Sequence, residues 1–111
     1  MSKKEYLKKD ARRDQILSAA MDIALTDGYD KLTRDGVADR ANVAAGQVNR
    51  IFNTMPQLKR AVMRSTVAQL EMNPSNQRLL LILATGLSYR ETPALNAPQE
   101  LKQASLQLLM G

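Results

Sequence analysis

The chain has 111 residues, 44% of them hydrophobic and 24% charged, which suits one small folded domain and argues against wholesale disorder. Sixteen Lys and Arg against eleven Asp and Glu leave a formal charge of +5, a balance that permits an anionic partner without requiring one. Cys and His are both absent, which excludes disulfide frameworks, thiolate zinc sites, cysteine nucleophiles and imidazole acid–base chemistry.

Charge is unevenly distributed. Residues 1–14 hold Lys3, Lys4, Lys8, Lys9, Arg12 and Arg13 against three acids, while residues 15–55 are slightly acidic and 56–72 are basic again. This reads as a basic N-terminal arm over 1–12, with no apolar segment behind it of the kind a signal peptide carries. A first amphipathic helix follows, with Ile16, Leu17, Ala20, Ile23 and Ala24 on one stripe. Gly28 stands where that helix should end, since glycine alone takes positive φ freely. Thr33 is placed to cap a second, short helix reaching about Ala41. Asn42 suits a left-handed turn. A third helix is expected over about Ala45–Phe52, with Val48 and Phe52 one turn apart and facing inward.

Thr54-Met55-Pro56-Gln57 has the form of a capping box, and Pro in a first turn removes no intrahelical bond. The fourth helix should run to about Met72 with Leu58, Ala61 and Val62 inward, stopped by Asn73-Pro74-Ser75-Asn76. A fifth, over about Gln77–Thr85, is apolar almost all round and should be buried. A sixth is expected after Asn96-Ala97-Pro98-Gln99. The longest apolar run, Leu79–Ala84, is far below the ~20 residues of a membrane span. No strand-like alternation or internal repeat is visible. The expected class is all-α, in a soluble chain of the cytoplasm.

Two short helices joined by about three residues and preceded by a longer one suggest a helix-turn-helix, in which the second helix enters the major groove. Here that helix starts with the small Ala45 and Gly46, then offers Gln47, Asn49 and Arg50, side chains suited to adenine and guanine edges. Taken alone, a short polar helix reads more readily as solvated surface than as a DNA contact. The order of features adds to it. From Arg13 to about Val62 the chain resembles the DNA-binding domain of the TetR (tetracycline repressor) family. The pieces that carry the resemblance are Ile16-Leu17, Ala19-Ala20 and Ile23, then Gly28-Tyr29, Thr33, Val37-Ala38, Ala41, Val43, Gly46, Phe52 and Leu58.

The resemblance implies a three-helix DNA-binding head over 13–55. Thr33 and Arg34 would then touch phosphates, Ala45, Gln47 and Arg50 would face bases or the adjacent backbone, and Phe52 would be structural. Asn49 joins them as a candidate base contact. The chain departs from the family at Asn42, where Gly is usual, and at Ala44, where Ser or Thr often caps. It departs again at Asn49 for a Tyr that touches phosphate, at Ile51 for an aromatic or His, and at Met55 for a basic residue. Arg50, Lys59 and the arm with Lys3 and Lys4 are the candidate replacements on phosphate.

Residues 56–111 form a connecting helix and a small helical region. The 39 residues after Met72 are too few to enclose a ligand pocket of ~300 Å³ or more, so no small-molecule inducer is expected. Their leucines either complete the core or pair two copies. The second is the expectation, through Leu79, Leu80, Leu83, Leu101, Leu108 and Leu109, because small helix-turn-helix proteins read palindromic DNA as dimers. Asp35 and Asp39, one turn apart, are better explained by solvation than by a metal. No nucleophile–base pair, phosphate-cradling glycine loop or paired carboxylates appear, so no catalytic residue, cofactor or enzymatic activity is assigned. The reading is a sequence-specific double-stranded DNA-binding regulator, most simply a homodimeric repressor of bacterial, plasmid or phage origin. The competing class is a non-catalytic interaction module that presents its C-terminal leucines to a protein. RNA binding is disfavoured by a chain with three Tyr, one Phe and no Trp for stacking.

Overall fold

The computed structural model describes the backbone of residues 3–110 and the side chains of residues 9–110. Among the described residues there are seven α-helices, one turn of 3-10 helix and no strand. Helix α1 runs Lys3–Thr26, so residues 3–12 of the expected basic arm are its first turns, and residues 1–2 lie outside the described residues. The reason is local: no Gly or Pro interrupts residues 3–12, which hold four Lys with Glu5, Leu7, Ala11 and Arg12, all good helix formers. Ile16, Ala19, Ala20, Ile23 and Ala24 are its buried stripe. It stops at Gly28, whose φ of 112° is open to glycine, and the N–H groups of Asp27 and Gly28 both donate to the Ile23 carbonyl, at 2.7 and 3.1 Å.

A single 3-10 turn, Tyr29–Lys31, buries Tyr29 and leads into α2, Arg34–Ala41. The Thr33 hydroxyl accepts the Gly36 N–H at 3.1 Å, satisfying one of the orphan donors of that helix start. Asn42 takes left-handed geometry, φ 57° and ψ 48°, and its N–H closes onto the carbonyls of Ala38 and Asp39. Helix α3, Ala45–Phe52, follows after three residues and turns Val48 and Phe52 inward. Thr54 then caps α4, Met55–Met72, accepting the Gln57 N–H at 3.3 Å, with Pro56 in the first turn as the sequence predicts.

Asn76 caps α5, Gln77–Ser88, through the Leu79 N–H at 3.2 Å. This helix runs three residues beyond its expected end at Thr85, and Gly86 faces inward on it. A Cβ at Gly86 would overlap the Met63 thioether, so α5 and α4 approach closely there. Helix α6, Thr92–Leu95, is a single turn that the sequence reading leaves as loop, and α7, Gln99–Met110, closes the chain. Helix α5 packs on α7, α4, α6 and α1.

The position of α5 corrects one expectation. Leu79, Leu80, Leu83 and Leu101 are each 4% exposed or less, inside the chain's own core. Each contributes about 1.5–3 kcal/mol by leaving water on folding, and that burial leaves these four side chains no surface to offer a second copy. Leu108 is half-buried, and Leu109 alone of the six candidates is freely exposed. No helix among the described residues is long and apolar enough to cross a membrane.

Candidate nucleic-acid interface

Helix α3 splits cleanly into two faces. Val48 and Phe52 are buried, with Ala45 and Ile51 half-buried beside them against the core. Gly46, Asn49, Arg50 and Asn53 are exposed at i, i+3, i+4 and i+7, a continuous outward stripe, and Gln47 stands half-exposed on its flank. Of the four candidate base contacts, Asn49 and Arg50 therefore point fully out, Gln47 partly, and Ala45 leans mainly on the core. A side chain at Gly46 would meet nothing within 4 Å, so the start of the stripe is unobstructed. The helix carries one charged side chain, Arg50, and no acid.

Three supports hold this helix in place. The first is the Asn42 turn, where the Val43 N–H donates to the Ala38 carbonyl at 2.9 Å and ties the connection back onto α2. The second is α2 itself, which is fixed to α1. The Gln15 amide donates to the Ala41 carbonyl at 2.7 Å, and Arg40 pairs with Asp22 and, at 3.7 Å, with Asp27. Arg40 is therefore committed to internal carboxylates. The third support is Phe52, whose ring lies under the Arg13 guanidinium, 5.0 Å from its centroid. That stack of charge over the ring face adds a further brace and brings a cation of α1 beside the end of α3.

The candidate phosphate contacts are more varied. The Thr33 oxygen is occupied in capping α2, with its hydroxyl exposed at the helix start. Arg34 is exposed, and its Nε lies 3.6 Å from Asp35 Oδ1, a surface pair of small net worth that yields readily to another anion. Lys59 is half-buried, its ammonium 5.9 Å from the centre of the Tyr29 ring. The side chains of Lys3 and Lys4 lie outside the described residues.

Tyr29 ties the 3-10 turn to α4 and to the end of α5. Its hydroxyl donates to the Lys59 carbonyl at 3.4 Å, and its ring sits 6.4 Å from that of Tyr89. Burial, with the Glu91 carboxylate close by, pushes its ionisation well above the usual value near 10. Tyr89 in turn donates to Asp30 at 2.6 Å, and that hydrogen bond raises its own ionisation. These two rings couple the 3-10 turn to the end of α5.

Sequence reasoning missed Arg13 and Asn53 in this neighbourhood. Arg13 is 39 positions from Phe52, and no periodicity links them. Asn53 was legible in principle: it is an Asn directly after a helix, and it takes φ 62° there. Compared with known protein families and with curated proteins, the chain matches none of them.

Proposed function

We propose that the protein is a sequence-specific double-stranded DNA-binding regulator, with α2 and α3 as a helix-turn-helix and α3 as its reading helix. The observation that carries this reading is the exposed Gly46–Asn49–Arg50–Asn53 stripe with Gln47 beside it, on a short helix without an acid. Amide and guanidinium side chains match adenine and guanine edges in the major groove, and a helix of eight residues, ~12 Å long, fits within that groove. The resemblance of residues 13–62 to TetR-type heads supports the same assignment.

The regulator acts as a homodimeric repressor, covering a palindromic operator with two reading helices about 34 Å apart and excluding polymerase from the promoter. Of the leucines exposed outside the core, Leu81, Leu95, Leu106 and Leu109, the last two lie with Met110 on α7 and form the dimer contact. Binding to DNA fragments from upstream of the protein's own gene, titrated with salt against random DNA, tests the proposal. One fragment bound tightly, with a dyad-symmetric footprint and a steep salt slope, is the expected result. Equal, weak binding to every fragment refutes sequence reading. The same exposed apolar side chains favour, as the second reading, an interaction module docking a protein, whose binding would hardly respond to salt.

A further inference from the structure

Helix α4 shows solvent a second face that the DNA reading does not use. Arg60, Arg64, Val67, Ala68 and Glu71 recur at i, i+4, i+7, i+8 and i+11, so they line one side of the helix. Helix α6 packs alongside, and the two enclose an open groove of about 630 Å³ with Pro93 on its opposite wall. That volume is in the range of small-ligand sites, ~300–1,000 Å³. The two C-terminal helices alone do not enclose it. The groove uses α4 and the one-turn α6 instead.

The charges in this groove are arranged by position. Arg60 and Arg64 stand one turn apart, a like-charge spacing that weakens a helix, and among the described residues neither has a carboxylate within 4 Å. Two guanidinium forks on one face match a carboxylate, which accepts parallel N–H donors from each. Beyond them Val67, Ala68 and Pro93 supply an apolar wall. Glu71 closes the far end, seven residues and ~10 Å along the helix from Arg64. A second anionic group arriving there would be repelled, and a nucleic-acid backbone, charged along its whole length, fits this polarity poorly.

We infer that the α4–α6 groove binds a small amphipathic monocarboxylate, its head between Arg60 and Arg64 and its apolar body along Val67, Ala68 and Pro93. The assignment stands apart from the DNA reading, and its test contains no DNA. Octanoate, 1-octanol, octylammonium and the dicarboxylate suberate are titrated into the full chain while backbone amide resonances are followed.

Octanoate should saturate at or below about 1 mM, with shifts concentrated on residues 60–71 and 92–96. The alcohol, the ammonium and suberate should each bind about tenfold more weakly or worse, since a charge-assisted pair is lost or a repulsion gained. Arg60→Gln and Arg64→Gln lie on exposed positions outside the core, so they should keep the fold and weaken octanoate by about tenfold each. Val67→Glu, which places a carboxylate on the apolar wall, should abolish binding with both arginines intact. Equal binding of octanoate and octanol, shifts elsewhere on the molecule, or no saturation with octanoate would each overturn the inference.

Discussion

Asn42 holds the turn between α2 and α3 at φ 57° and ψ 48°, with its side chain exposed and its backbone N–H closing α2. Because the side chain is solvated, replacing it tests the backbone conformation with little loss of packing. Left-handed geometry costs an ordinary L-residue ~1–2 kcal/mol, and Asn less, because its short polar side chain tolerates the crowding. Gly removes that cost but widens the unfolded ensemble, which offsets ~0.4–1 kcal/mol. Asn42→Gly should therefore change stability by no more than about 0.5 kcal/mol in either direction. Asn42→Ala should destabilise by about 1 kcal/mol, and Asn42→Val, whose branched Cβ is worst in this region, by about 2 kcal/mol.

For a domain of this size each kcal/mol corresponds to a fall in Tm of roughly 4–8 °C. Urea unfolding followed by circular dichroism measures the series, with the slope m expected to stay constant. Amide exchange at Val43, whose N–H bonds Ala38, reports the turn locally. A valine tolerated as well as Asn would refute the reasoning, because the turn would then not depend on left-handed backbone. So would a glycine costing more than about 1 kcal/mol, which would mean that the Asn side chain contributes a contact of its own.

Phe52→Ala should cost about 3–5 kcal/mol, since the ring is buried and carries the Arg13 stack; denaturant unfolding that moves by under 1.5 kcal/mol would count against it as the anchor of α3. Gln47→Ala and Arg50→Ala should each weaken operator binding by about 1–3 kcal/mol with unchanged helicity, checked by fluorescence anisotropy and circular dichroism. Lys59→Ala should weaken all DNA sequences alike and flatten the plot of log K against log salt by about 0.9, the contribution of one phosphate contact. Tyr29 is protonated more tightly in the folded chain than in the unfolded one. Its contribution to stability is therefore complete below pH ~10 and is lost as pH rises above that value. Tyr29→Phe should flatten the alkaline limb of the stability curve, and an unchanged limb would show that burial of this hydroxyl does not drive it.

Much of the secondary structure is written locally. Gly28, Thr33, Asn42, Thr54 and Asn76 end or begin helices through their own backbone freedom or side-chain oxygens, interactions that span at most five residues. The inward stripes of α1, α3 and α4 follow from apolar spacing, because a helix with one apolar face must bury it. The outward stripe of α3 follows by exclusion from the same spacing, which makes Asn49 and Arg50 legible as candidate contacts, while Ala45 leans on the core.

Only the tertiary structure decided the rest. Apolar periodicity says that Leu79, Leu80, Leu83 and Leu101 must be covered, but a second copy and the chain's own helices satisfy that demand equally. The packing of α5 on α7 and α4 settles it in favour of the monomer core. The ties of Gln15 to Ala41, Arg13 to Phe52 and Tyr89 to Asp30 join positions 26 to 59 residues apart, and each depends on where whole helices dock. The α4–α6 groove has the same origin. The spacing of Arg60, Arg64 and Val67 is visible in the chain, but its opposite wall exists only because α6 folds back against α4.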